Sequence, residues 1–236
     1  MTASSAPIAE NLSRIRAQMQ QAAVSCGRNP NDIHLLAVSK TKPVSDILQA
    51  YENGQRHFGE NYVQEGLEKI QALSQFSDIV WHYIGPLQSN KSKIIAENFD
   101  WMHSLDRIKI AKRLNDQRPS ELAPLNVCIQ INIDDESSKS GIQASETKDF
   151  LEQMREFSRL SCRGLMTIPS ATKDINQQRA SFERMQSLFV KCQEDFKQIY
   201  PDFDTLSMGM SADMALAIEY SSTMLRVGTG VFGSRT

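Results

Sequence analysis

His34-Leu35-Leu36-Ala37-Val38-Ser39-Lys40-Thr41-Lys42-Pro43 decides how this chain is read. An apolar run closed by polar residues and a proline reads as a buried strand that stops at the turn. Over 44–53 the apolar positions then recur at helical spacing. The same strand-then-helix order repeats about eight times along the 236 residues. Strands are expected at 34–39, 56–58, 79–84, 101–104, 125–133, 161–168, 205–208 and 224–227. Helical patterns lie at 44–53, 63–73, 108–115, 147–157, 178–196 and 213–220, and an amphipathic stretch through Ile8, Leu12, Ile15 and Met19 precedes the first strand.

Strands alternating with helices pair in parallel through right-handed crossovers. Eight such units in this length predict an α/β chain folded as a single (β/α)8 TIM-type barrel with an additional N-terminal helix. No low-complexity linker interrupts the pattern, so one domain is expected over 1–236. An open Rossmann-like sheet is the competing architecture, but no GxGxxG follows an early strand.

The composition narrows the function. With 40% apolar residues, 23% charged residues and a net charge of -2, the chain has the core of one large domain and no electrostatic footprint for nucleic acid. Cys26, Cys128, Cys162 and Cys192 show neither CxxC pairing nor clustering with histidine. Neither a disulfide framework nor a metal site is therefore expected. The N-terminus lacks the basic and apolar regions of a signal peptide, and no stretch approaches the ~18 apolar residues of a membrane span. A cytoplasmic protein with reduced thiols is expected.

A barrel of this kind builds its site where the strands end. Lys40 ends the first strand, where partial desolvation would favour a neutral amine able to attack an aldehyde; a solvated flanking charge is the plainer role. Gly59-Glu60-Asn61, Gly85-Pro86-Leu87-Gln88, Asn132, Met166, Gly209-Met210-Ser211 and Arg226-Val227-Gly228-Thr229 follow other strands. Ser211 is expected to head the helix that contains Asp213, as an N-cap or as part of an anion site. Gly228-Thr229-Gly230 is an ordinary turn alone, and the second half of a phosphate cup if it lies beside Ser211. Arg226 needs an acceptor, either a carboxylate such as Glu60 or Glu219 or a ligand atom such as a pyridine nitrogen.

Taken together, seven ordered motifs resemble the pyridoxal phosphate homeostasis protein family, single-domain relatives of the alanine racemase N-terminal barrel. They are Leu36-Ala37-Val38-Ser39-Lys40-Thr41-Lys42-Pro43, Phe58-Gly59-Glu60-Asn61-Tyr62-Val63-Gln64-Glu65, His82-Tyr83-Ile84-Gly85-Pro86-Leu87-Gln88-Ser89-Asn90-Lys91, Asn132 through Lys139-Ser140-Gly141, Gly164-Leu165-Met166, Leu206-Ser207-Met208-Gly209-Met210-Ser211 and Arg226-Val227-Gly228-Thr229. The resemblance implies pyridoxal 5'-phosphate held as an internal aldimine on Lys40. It implies that Ser211 and the backbone of Gly228 and Thr229 hold the phosphate, that Arg226 faces the ring nitrogen, that Asn61 and Met210 stand around the ring, and that Lys42 is a second amine nearby. The chain departs from the family pattern at Tyr220 and at Ser221, where glycine is usual, which puts the turn before the last strand in question.

The same resemblance implies a protein that regulates the availability of vitamin B6 without robust turnover. Arg226 would donate to an unprotonated ring nitrogen and leave a poor electron sink. The related racemases take a second base from a C-terminal β domain, and this chain stops nine residues after Val227, so no such domain is expected. The expected partners are the cofactor and apo-enzymes that need it, with no nucleic acid, no membrane, no metal, no catalytic residue, and the chain a monomer. Two alternatives remain: an amino-acid racemase of the same fold, and a cofactor-free aldolase in which Lys40 attacks a phosphorylated sugar. A visible absorption band separates the second from the first reading.

Overall fold

A computed structural model of the chain describes residues 7–136, 139–170, 172 and 174–233. Ser137 and Ser138, inside the motif from Asn132 to Gly141, lie outside the described residues, as do both ends of the expected domain. Helix α1 (Ile8–Ser25) comes first, followed by β1 (His34–Val38), α2 (Val44–Glu52), β2 (His57–Glu60), α3 (Val63–Ala72), β3 (Val80–Tyr83), α4 (Ser92–Asn98) and β4 (Trp101–Leu105). The second half runs through α5 (Ile108–Gln117), β5 (Leu125–Ile131), α6 (Thr147–Met154), β6 (Leu160–Thr167), α7 (Ile175–Phe196), β7 (Thr205–Ser207), α8 (Met214–Glu219), β8 (Met224–Val227) and α9 (Thr229–Phe232).

The eight strands close in sequence order into a parallel barrel, with β8 returning to pair with β1. The expected barrel with its extra N-terminal helix is the fold observed, and the open sheet is not. Each expected strand is present within about two residues. Helix α4 is an addition: Ile94, Ile95 and Ala96 are too few to announce a period, and packing against α5 supplies what the local pattern lacks.

Period two along the strands divides their side chains between two environments. Leu35, Ala37, Phe58, Trp81, Tyr83, Met102, Ile129, Leu165, Leu206 and Leu225 join the large core shared with the helices. The alternate residues Trp101, Cys128 and Met166, with Val80 beside them, form a separate small cluster and face the barrel interior. The interior is also polar, because His82, His103, Ser207 and Arg226 are buried on the same alternate positions. The wall needs glycine where backbones meet: a Cβ on Gly164 would lie 1.8 Å from the Thr205 carbonyl oxygen, and one on Gly85 would lie 2.1 Å from that of Asn61.

The turn before β8 keeps its shape without glycine. Ser221 sits in the left-handed region at φ 67°, its amide bonds to Ile218 O and the Ser222 amide to Ala217 O, closing α8 as a glycine would. Its hydroxyl accepts from Gln186 Nε2 at 2.6 Å, and the Tyr220 ring stacks on Phe182. Among the described residues, no helix is long and apolar enough to cross a membrane.

Candidate functional site

Three neighbouring strands place the expected residues. In the β1–β8 register Leu36 lies opposite Arg226 and Ala37 opposite Val227, so the Ser39–Lys42 turn and the Gly228 turn leave the barrel side by side. The Val38 carbonyl oxygen is 3.4 Å from where a Cβ on Gly228 would be. A Cβ on Gly230 would lie 3.0 Å from Ser211 Oγ, which brings the segment after β7 against the turn after β8. Lys40, Met210, Ser211, Arg226, Gly228 and Thr229 thus share one rim. Asn61 follows β2, the next strand round.

Lys40 is half-buried and sits on a turn closed by the Lys42 amide on Ser39 O at 3.0 Å. The turn holds Thr41 at φ 63°, a conformation that a β-branched residue adopts only under constraint. The constraint lies behind it. Buried Lys69, on α3, places Nζ 2.7 Å from Ser39 O, 2.8 Å from Glu60 Oε1 and 2.6 Å from Glu65 Oε1. Ser39 Oγ donates to Glu60 Oε1 at 2.5 Å, and the Thr41 amide donates to Glu65 Oε1 at 2.5 Å. Burial pushes the Glu60 carboxyl above its ordinary range, against the pull of Lys69 and Ser39. Lys42 reaches away from this network and donates to Phe232 O at 3.1 Å.

Two expectations about the rim change. Ser211 does not cap α8, which starts at Met214; it belongs to an exposed turn, and Asp213 Oδ1 takes the Met210 amide at 2.6 Å. The closing turn after β8 is in turn more than a loop: Thr229–Phe232 forms a helical turn, braced by Asn11 Nδ2 on Val231 O and Arg14 Nη2 on Gly230 O. The leading amides of such a turn have no acceptor within it, and the turn lies against Ser211. Met210 is 42% exposed and contributes to the rim rather than to the core.

Arg226 is buried, and of its two alternative kinds of acceptor the carboxylates Glu60 and Glu219 are engaged elsewhere. Glu60 is taken by Lys69 and Glu219 by Arg179. The guanidinium instead donates from Nη1 to Ser207 O at 2.7 Å and Ser207 Oγ at 2.8 Å, and from Nη2 to Thr167 O at 2.8 Å. Burial lowers its pKa to about 10, so it stays charged at neutral pH. Of five N–H donors, Nε and one on Nη2 have no partner among the described residues.

The arrangement fits an elongated ligand with an anionic group, a ring acceptor and an electrophilic carbon. Among the described residues Asn61 Oδ1 is buried without a hydrogen-bond partner, a cost that a ligand donor relieves. Asn61 also lines a cavity of about 210 Å³ with Ile84, Gln130, Lys139 and Ser140. Sequence reasoning missed Lys69, because a lysine four residues after Glu65 on a helix reads as a solvated pair. It also missed His57 and His103, and quoted His82 and Ser207 within motifs without a role for either, although polar residues at the inward positions of buried strands were a visible signal.

A family model for the alanine racemase N-terminal domain matches residues 8–236. The pyridoxal phosphate homeostasis protein of Pasteurella multocida (strain Pm70) is 55% identical over 231 residues, covering 97% of each chain. That of Escherichia coli (strain K12) is 53% identical over 230 residues, again covering 97% of each. PipY of Synechococcus elongatus PCC7942, solved with PLP bound, superposes with a TM-score of 0.81 at 34% identity, covering 96% of this chain and 100% of that one.

Proposed function

We propose, because this chain belongs to the pyridoxal phosphate homeostasis protein family, that its barrel binds pyridoxal 5'-phosphate and regulates the availability of that cofactor in the cytoplasm, without robust turnover. The observation that carries the reading is the β1–β8 register, which sets the Lys40 turn beside the Gly228 turn and above Arg226. When bound, the cofactor would supply an aldehyde, and Lys40 would be the amine that holds it. All else falls to the chain. The Glu60–Lys69–Glu65 network holds the turn that aims Lys40. Ser211 and the Gly228 and Thr229 amides receive the phosphate. The free Arg226 donors meet the ring nitrogen, and Asn61 Oδ1 accepts from the ligand's polar edge.

Arg226 also supports a reading without robust turnover. A guanidinium that stays charged donates a hydrogen bond and keeps its proton, so the ring nitrogen gains little electron-withdrawing power. One barrel domain acting as a monomer, with apo-enzymes as recipients, completes the proposal.

Borohydride reduction followed by intact mass and peptide mapping tests it. One pyridoxyl phosphate on Lys40 is the expected result, and Lys40→Ala should lose the visible band. An adduct mapping mainly to Lys42 in the wild-type protein overturns the assignment. A colourless protein that reacts with phosphorylated sugars through Lys40 promotes the aldolase alternative.

A further inference from the structure

A line of hydrogen bonds crosses the barrel interior behind Arg226. Ser207 Oγ, which receives Arg226 Nη1, also lies 2.9 Å from His103 Nδ1. His103 Nε2 is 2.9 Å from His82 Nδ1, and His82 Nε2 is 2.9 Å from His57 Nδ1. His82 and His103 are fully buried, and Trp101 stacks on His82 with ring centroids 5.3 Å apart. His57 is half-buried at the start of β2. With Asp32, His34, Thr205 and Met224 it lines a cavity of about 360 Å³ at the N-terminal end of the barrel. The line therefore runs from the floor of the barrel to the residue that faces the mouth.

Donor accounting gives this line a direction. Arg226 has no acceptor, so Ser207 Oγ must accept from it. Suppose the Ser207 proton points at His103 Nδ1. His103 is then neutral with its proton on Nε2, which it donates to His82 Nδ1; His82 in turn donates from Nε2 to His57 Nδ1. The Ser207 hydroxyl and every ring nitrogen from His103 Nδ1 to His57 Nδ1 are then used. In the reverse direction His103 Nδ1 donates to Ser207 Oγ, which then accepts twice, and its own buried proton has no acceptor among the described residues. That costs the desolvation of a buried donor.

We propose that Ser207, His103, His82 and His57 form a hydrogen-bonded relay of one fixed polarity, all three imidazoles neutral and protonated on Nε2, that positions the Arg226 guanidinium for the cofactor ring nitrogen. The inference rests on the proposed function for what Arg226 meets, but not for the polarity of the relay. With the Ser207 proton committed to His103, its remaining lone pairs face Arg226, and the guanidinium is pinned with its free edge toward the mouth. Ser207, His103 and His82 are positioning residues, acting through Arg226. The neutral forms are supported by burial and by neighbouring charge. Burial lowers all three histidines, to about 4 for His57 and about 3 for His103, with Arg226 adding to the effect on His103 and His34 to that on His57.

Long-range ¹⁵N–¹H correlation spectra of the full chain labelled at histidine test the polarity directly, with and without pyridoxal 5'-phosphate. His57, His82 and His103 should each show a bare Nδ1 and a protonated Nε2 at neutral pH in both samples. A proton on His103 Nδ1, or an imidazolium at His82 or His103, overturns the relay. The positioning role is read on the bound cofactor. Ser207→Ala should weaken its binding about tenfold and shift its visible band, and Ser207→Thr, which keeps the hydroxyl, should restore both. A folded Ser207→Ala protein with wild-type affinity and spectrum refutes positioning. If the wild-type chain binds no cofactor, the proposed function fails, and the histidine spectra still decide the polarity.

Discussion

Lys69 Nζ lies 2.8 Å from Glu60 Oε1 inside the barrel wall, directly behind the strand end that carries Lys40. The ammonium is also bonded to Ser39 O and to Glu65, whose carboxylate accepts from the Thr41 amide, so the pair is tied to the backbone on both sides of Lys40. A buried ion pair gives little net stability against an apolar replacement, yet removing one partner strands the other in a low-dielectric site.

Lys69→Met should therefore destabilise the fold by about 3–5 kcal/mol, measured as the urea midpoint at pH 8. The loss should shrink as the pH falls, because the stranded Glu60 carboxyl, already raised by burial, neutralises by taking a proton. Adding Glu60→Gln should recover much of the loss. A single mutant within about 1 kcal/mol of wild type at pH 8 contradicts this account of the turn.

Acid should unfold the protein early. His57, His82 and His103 titrate below their ordinary value in the folded state. The unfolded chain therefore binds more protons once the pH drops below about 6.5. Their contribution is complete above that pH and is lost as it falls toward about 4 for His57 and about 3 for His103. Three groups acting together give a slope of at most ~4 kcal/mol per pH unit. Urea melts at pH 7, 6 and 5 check it, and a flat stability across that range is the contrary result.

Ser211→Ala should weaken pyridoxal 5'-phosphate binding by roughly ten- to a hundredfold, the range of one charge-assisted hydrogen bond of ~1.5–3 kcal/mol. Fluorescence titration measures it. Pyridoxal without its phosphate should bind far more weakly to the wild-type protein and lose little further in the mutant. Equal affinity for the two ligands is incompatible with a phosphate cup formed by Ser211, Gly228 and Thr229.

Alanine racemisation should stay well below a turnover of ~1 per second, the low end for ordinary enzymes. The reason is Arg226, whose pKa near 10 leaves it a donor that does not surrender its proton at neutral pH. Deuterium incorporation at Cα of L-alanine, with D-alanine formation and a Lys40→Ala control, provides the measurement. Lys40-dependent turnover above that rate would establish the racemase alternative.

The sequence by itself determined the eight strand-helix units, the place of Lys40 after β1 and the motifs at the strand ends. Period, proline and turn chemistry act within a few residues, so the run from His34 to Pro43 carries its own instruction. The tertiary structure alone decided which polar groups meet. Ser207 and Arg226 lie on β7 and β8, His57, His82 and His103 on β2, β3 and β4, and only closure of the barrel by the β1–β8 pairing turns them toward one axis. Lys69 looks like a surface lysine until α3 packs over β2 and takes its ammonium out of water. The helix beginning at Met214 rather than Ser211 has the same origin: Asp213 takes the Met210 amide, and Ser211 is left on the rim beside Gly230. Distant strands meet only through chain closure, and the free energy of an ionic or imidazole group depends on what surrounds it after they meet.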